Sequence, residues 1–382
     1  MVDVPSTSDD RYVVPPADLA RSSRDPDALR GRLEHWLASR WRSDATVSRL
    51  EATSANGMSS ETMLFDAASA KGGAPTVEHL VARLAPDDAD VPVFPSYDLE
   101  RQFRVLQAVA GLSAVPVPQV WWYEPDGSHL GAPFFVMSRV DGEIPPDILP
   151  YNFGDSWLFA ATPEDRRRLQ DASVRVLVDL HAIARPEEQL GFLTLDAPGD
   201  TPLRRKVAHT RAWYEWATTD VGPSPLVERA FAWLDEHWPG EESAAVLNWG
   251  DSRIGNVIYR YFAPVAILDW EMACLGPREL DVAWMVYAHR VFEDLAVDHG
   301  FPGMPEFLVL DDVVSTYETL SGQPLHDLEF YATLAAVQYA IVFLRTGQRS
   351  IHFGERDAPG EVDELIMNRD PLERMLGGEY WS

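Results

Sequence analysis

The sequence predicts an α+β fold with a small β-rich front half and a larger helical back half. Short β-like segments dominate before residue 138, whereas helical spacing of apolar residues dominates after it. The length of 382 residues is enough for two domains or for one large unit in two parts. We expect residues 1–25 to form a loose leader, residues 26–138 the front lobe and residues 139–382 the back lobe.

The front half begins with one amphipathic helix and continues mainly in strands. From Asp27 onwards, apolar side chains recur at helical spacing: Leu29, Leu33, Trp36, Leu37 and Trp41. The β-like segments that follow are 46–53, 62–66 and 77–84, with a loop of small residues at 54–60. A second helix is predicted within 95–111, and 133–137 indicates a buried strand.

The back half is predicted to be mostly helical. Thr162, Pro163 and two acidic residues form a typical helix start, since they supply a cap, a fixed φ and charges that suit the first turn. This helix extends to His181. Further helical patterns follow at 202–219, 226–236, 279–296 and 327–346.

Three polar residues interrupt apolar, β-rich runs between residues 245 and 271. Asp251 and Asn256 lie in the loop that follows one run, and Asp269 ends the last run. Each could be an ordinary turn residue, because Asp and Asn favour turns. Together they predict a hairpin that directs two carboxylates and one amide to one point. Mg²⁺ prefers such oxygen ligands, and a further carboxylate beside it can hold a hydroxyl for attack on phosphorus.

The composition excludes several classes of partner. With 32 basic and 60 acidic residues the net charge is −28, so nucleic acid and anionic membrane surfaces repel the chain. Cys274 is the only cysteine, which rules out an intrachain disulfide and indicates a reducing compartment. The first 25 residues lack the apolar core of a signal peptide, so we expect a cytoplasmic protein whose oligomeric state the sequence leaves open.

Residues 45–350 resemble the aminoglycoside phosphotransferase family, the small-molecule kinases related to choline kinase and, more distantly, to protein kinases. Within this family the chain resembles the branch that is also found attached to acyl-CoA dehydrogenases in animals. The resemblance rests on Trp249-Gly250-Asp251-x4-Asn256 and on Leu268-Asp269-Trp270-Glu271, with Asp281 following. It implies a bilobal protein kinase-like fold, with a β-rich N-lobe and a mostly helical C-lobe.

The resemblance also implies a chemistry. Asp251 would be the catalytic base that orients the acceptor hydroxyl, and Asn256 and Asp269 would hold the Mg²⁺ ions that bridge the ATP phosphates. Asp281 and His181 would be structural. The cofactors would be ATP and Mg²⁺, and the partner a small-molecule hydroxyl acceptor. An aminoglycoside-like acceptor is favoured, with an amino alcohol and a hydroxy acid still open.

The front half carries the nucleotide contacts that the resemblance implies. These are a phosphate loop with Gly57, Ser59 and Ser60; Arg83 on the α- and β-phosphates, with Glu100 as its orienting carboxylate; and a hinge of Met137, Ser138 and Val140 whose backbone bonds the adenine edge. Arg83 stands where the family keeps a lysine, and a guanidinium is not equivalent to an ammonium.

Trp249 stands where the family usually has a histidine. This substitution keeps open a nucleotide-binding pseudokinase with a sensing or scaffold role, although a pure binder has no need of a base such as Asp251. A metal-dependent hydrolase on the same carboxylates is the other alternative. It is disfavoured because the ten histidines are scattered and no His-Glu-x-x-His occurs.

Overall fold

The computed structural model describes residues 24–48, 50–52, 61–69, 76–87, 91–147 and 150–381. Its strands are β1 (Ala45–Val47), β2 (Glu51–Ala52), β3 (Glu61–Ser69), β4 (Thr76–Leu84), β5 (Val120–Glu124), β6 (Phe134–Ser138), β7 (Val246–Asn248), β8 (Val257–Arg260), β9 (Ala263–Ile267) and β10 (Cys274–Gly276). Its helices are α1 (Pro26–Trp41), α2 (Leu99–Leu112), α3 (Pro163–His181), α4 (Pro186–Gln189), α5 (Pro202–Ala217), α6 (Pro225–Glu236), α7 (Glu279–Asp298), α8 (Leu310–Ser321), α9 (Leu328–His352) and α10 (Arg369–Leu376). The predicted α+β class is confirmed.

Among the described residues, β1 to β6 form one antiparallel sheet in the order β1-β3-β4-β6-β5, with β2 also on β3. The longest pairing joins β3 and β4, from Glu61 opposite Leu84 to Ser69 opposite Thr76. Because successive side chains of a strand point to opposite faces, each face of this sheet needs its own cover. Helix α1 covers one face and α2 covers the other.

Both front helices follow the predicted spacing. Asp25 caps α1, whose Leu33, Trp36 and Leu37 pack on the sheet beside Phe65. Asp98 caps α2, which begins three or four residues later than the start of the predicted segment. The sequence did not predict β5, which lies at the edge of the sheet beside β6.

The back half is built around α9. This helix of 25 residues packs against α5, α6, α7 and α10, and its middle is almost wholly buried. By length and composition α9 could cross a membrane, but 78% of its most apolar window is buried inside the molecule. It is therefore a core helix by its packing. The helices α8 and α10 were not predicted.

The predicted hairpin forms between β8 and β9, but the strand before Asp251 pairs with another strand. Strand β8 pairs with β9, whereas β7, which precedes Asp251, pairs with β10. A short 3₁₀ turn, Ile254–Asn256, joins the Asp251 segment to β8. Two small ribbons therefore place Asp251, Asn256 and Asp269 together, because β7 and β9 end at this site and β8 begins there.

Candidate active site

The loop of residues 249–256, here the Asp251 loop, passes very close to the loop of residues 268–272, here the Asp269 loop. At Gly250 the backbone has φ +91°, in the left-handed region that favours glycine. A Cβ atom at Gly250 would collide with the carbonyl group of Met272. Glycine therefore permits the close approach that brings the two loops together.

Asp281, fully buried near the start of α7, fixes the backbone of the Asp251 loop. Its two carboxylate oxygens each accept one amide N–H at 2.8 Å, from Trp249 and from Gly250. His181 Nε2 lies 3.2 Å from Asp281 Oδ2, while its Nδ1 bonds the Tyr317 hydroxyl at 2.7 Å. The structure thus gives Asp281 and His181 hydrogen-bonding contacts of the structural kind that the resemblance implied.

Three side chains donate hydrogen bonds to the Asp251 carboxylate. Asn256 Nδ2 lies 2.7 Å from Oδ2, Trp284 Nε1 lies 2.7 Å from Oδ1, and Arg253 Nε lies 3.1 Å from both oxygens. Burial raises the pKa of Asp251, and the negative charge of Asp269 raises it further, while Arg253 opposes both effects. The negative charge of Asp269 close to the Asp251 carboxylate makes this a point where a cation would be stabilised.

Asp269 has φ +58° and is 8% exposed. The backbone around it is held by Trp249, whose indole Nε1 donates to the carbonyl oxygens of Leu268 at 2.8 Å and Asp269 at 3.0 Å. Trp249 therefore connects the Asp251 loop to the Asp269 loop by a side-chain hydrogen bond.

The donor set suits a hard divalent cation. Asp269 offers carboxylate oxygens and Asn256 an amide oxygen, and Mg²⁺ commonly takes one or two protein ligands and completes its shell with phosphate and water. The described residues hold no group of three or more His, Cys, Asp or Glu side chains arranged for a metal. Any magnesium here would take its remaining ligands from phosphate and water.

The structure brings Arg83 to the Asp269 loop. Arg83 Nη2 lies 2.7 Å from Asp269 Oδ1 and 3.5 Å from Glu271 Oε2. Burial disfavours its charge, yet Asp269 and Glu271 hold the pKa of Arg83 above its usual value. Glu100 is exposed on the first turn of α2. These contacts of Arg83 are with the acids of the Asp269 loop, and the expected Arg83–Glu100 pair stays a prediction.

The hinge residues lie at the end of β6. Met137 is paired on both sides within the sheet, and the Ser138 amide donates to the Gln119 carbonyl oxygen at 2.8 Å. Among the residues that the structure describes, the Val140 backbone has no hydrogen-bond partner. Gly57, Ser59 and Ser60 fall outside the described residues.

Sequence reasoning missed two residues that touch Asp251. Arg253 lies inside the quoted motif and also forms an ion pair with Asp147. Trp284 follows Asp281 by three residues, so both lie on one face of α7. That spacing was the available signal, because Asp281 was already expected to have a structural role near the start of this helix.

Comparisons with known proteins show which chains this one is similar to. Acyl-CoA dehydrogenase family member 10 of Mus musculus is 28% identical over 285 residues, which cover 71% of this chain but 24% of the mouse protein. The chain thus matches about a quarter of that relative's length. A Ralstonia eutropha structure assigned to the aminoglycoside phosphotransferases has a TM-score of 0.64 at 21% identity, covering 92% of this chain and 97% of its own.

A further solved structure has the same fold. It is a thermostable mutant of aminoglycoside phosphotransferase APH(4)-Ia in a ternary complex with ADP and hygromycin B, with a TM-score of 0.53 at 16% identity. The match covers 90% of this chain and 98% of that one. The family model described as "Phosphotransferase enzyme family" matches residues 69–305, more than half of the chain. Because of this match, the chain belongs to the phosphotransferase enzyme family.

Proposed function

We propose that the protein is an ATP- and Mg²⁺-dependent kinase that transfers the γ-phosphate to a hydroxyl group of a small acceptor. The observation that carries the proposal is the convergence of Asp251, Asn256 and Asp269 at one buried point. Transfer of a phosphoryl group requires positioning and charge neutralisation more than covalent chemistry. This site offers a base, two oxygen ligands and one arginine for those tasks.

In this proposal Asp251 orients the acceptor hydroxyl and accepts its proton. Asn256 and Asp269 would hold magnesium, which neutralises the charge on the transferring phosphate and supplies no group of its own to the product. Arg83 adds positive charge beside Asp269. Its guanidinium can serve both a carboxylate and a phosphate, because it presents several donors in a planar fork.

The nucleotide is proposed to lie over the paired strands β4 and β6, from the hinge at the end of β6 to Arg83 of β4. The Val140 backbone is the hinge group that can bond the adenine edge, since the Ser138 amide already has a partner. Gly57, Ser59 and Ser60 remain the proposed phosphate loop, flanked by β2 and β3. The ADP and hygromycin B of the APH(4)-Ia complex support a nucleotide and a small hydroxyl compound as the ligands of this fold.

The first experiment measures ATP binding by isothermal titration with and without Mg²⁺, followed by ADP release in the presence of hydroxyl compounds. An aminoglycoside, an amino alcohol and a hydroxy acid are the acceptors to compare. We expect Mg²⁺-dependent binding and ADP release that one acceptor class stimulates. Absence of ATP binding would contradict the proposal.

The second candidate is a nucleotide-binding pseudokinase. The buried ion pair of Arg83 with Asp269 favours it, because this pair engages the proposed phosphate contact with the proposed metal ligand. It predicts ATP binding without ADP release on any acceptor. The same titration and release assay therefore separates the two candidates.

A further inference from the structure

We infer that Trp284 is a positioning residue that fixes the Asp251 carboxylate for proton transfer, an inference that rests on the proposed kinase function. The indole Nε1 of Trp284 lies 2.7 Å from Asp251 Oδ1. An indole nitrogen has one hydrogen and accepts none, so this bond uses the full capacity of the side chain. Trp284 thus donates to the proposed base alone.

The indole is itself held firmly. Trp284 is 4% exposed, and its ring packs against the ring of Tyr339 on α9 with centroids 4.9 Å apart. Helix α7 is buried along most of its length. A donor on such a rigid element positions its acceptor more accurately than a donor on a loop.

One turn of α7 holds both parts of the Asp251 loop. Asp281 accepts the backbone amides of Trp249 and Gly250, and Trp284, three residues further on, donates to the side chain of Asp251. Residues three apart lie on one helix face. The same turn of α7 therefore holds both the backbone beside the proposed base and its carboxylate.

The two other donors to Asp251 have second duties. Arg253 shares its guanidinium with Asp147 through an ion pair. Asn256 is a proposed metal ligand, so its amide must also serve magnesium. Among the described residues, Trp284 has no second partner for its N–H group. It is therefore the donor that sets the direction of the carboxylate, whereas Arg253 and Asn256 also interact with other groups.

The test is Trp284→Phe, which keeps an aromatic ring and removes the N–H group. We expect kcat for transfer to the acceptor to fall about 10-fold or more, the effect of one hydrogen bond to a charged group. We expect KM for ATP and the Mg²⁺-dependent ATP affinity to stay within about two-fold, because the loss is confined to the transition state.

Trp213→Phe is the matched control. Trp213 is 3% exposed and its Nε1 donates to the Val93 carbonyl oxygen at 2.9 Å, so both variants lose one buried indole bond. If Trp284→Phe and Trp213→Phe lower kcat equally and lower the melting temperature equally, the inference is overturned. If Trp284→Phe does not fold, benzothienylalanine at position 284 replaces the N–H group by sulfur with the shape retained, and the same loss of kcat is expected.

A double-mutant cycle shows whether Trp284 acts through Asp251. In an Asp251→Asn background, Trp284→Phe should cause little further loss, whereas independent roles would give additive losses and overturn the inference. Wild-type protein without transfer to any acceptor would overturn the proposed function, and the inference with it. Wild-type transfer with unchanged kcat in Trp284→Phe would overturn this inference alone.

Discussion

The two sides of the site differ in how they are built. On the Asp251 side, the loop is fixed by Asp281, by Trp249 and by Trp284, all within 36 residues of one another in the chain. On the nucleotide side, Arg83 of β4 contacts Asp269, which lies 186 residues away. The comparison teaches that a compact motif specifies its own geometry, whereas contacts between distant elements depend on how the elements pack.

The largest expected effect tests the Asp251 side. Asp251→Ala should lower phosphoryl transfer at least about 100-fold, the low end for a positioned general base, while ATP binding stays. Steady-state ADP release and isothermal titration measure the two quantities. Near-normal turnover in this variant would show that Asp251 is not the catalytic base. The locally specified geometry of the Asp251 side would then have no catalytic role.

A second variant tests the point where the two sides meet. Asp269→Ala should weaken Mg²⁺-dependent ATP binding by about 10-fold or more, since a ligand to the cation is lost. Binding measured without Mg²⁺ should change less, and it serves as the control. Equal affinities for wild type and variant in the presence of Mg²⁺ would argue against a metal at Asp269.

The third test compares Arg83 with Glu100. Arg83→Met should weaken ATP binding about 10-fold and should also lower the melting temperature, because Asp269 and Glu271 lose a buried partner. Glu100→Gln should change neither quantity, because Glu100 is exposed. A loss of ATP affinity in Glu100→Gln would support the Arg83–Glu100 pair that the resemblance implied.

The sequence predicted the fold class, most helices and the grouping of Asp251, Asn256 and Asp269. The helix caps at Asp25, Asp98 and Thr162 are local signals, and local signals can be read from the chain. The β7–β10 pairing was beyond it, because three-residue strands carry no periodicity that selects a partner.

Side-chain partners across elements were also beyond the sequence. Whether Arg83 meets Glu100 or Asp269 depends on how α2 and the Asp269 loop pack against β4, which no local pattern encodes. The division into lobes at residues 138 and 139, the roles of the individual site residues and the cytoplasmic location stay predictions.

The smallest expected effect concerns the helix on which the Asp251 side rests. His289 of α7, 1% exposed, bonds the Tyr151 hydroxyl at 2.9 Å and the Met304 carbonyl oxygen at 3.2 Å. Burial lowers the pKa of His289 to about 3, against 6.5 when unfolded, and outweighs the opposing Met304 contact. Glu293, 3.6 Å away, is already bonded by the Met304 amide.

Below pH 6.5 the unfolded chain therefore binds a proton at His289 that the folded chain does not. The free energy of unfolding should fall as the pH falls from 6.5 towards 3, with His289 contributing up to about 1.4 kcal/mol per pH unit. His289→Gln, which does not titrate, should reduce this slope by about 0.7 proton, or about 1 kcal/mol, between pH 6.5 and 5.5 in urea titrations, because the unfolded imidazole is half protonated at pH 6.5. Identical slopes would mean that His289 has the same pKa in the folded and the unfolded chain, so that folding does not keep it neutral. A neutral buried histidine would then not be part of the helix on which the Asp251 side rests.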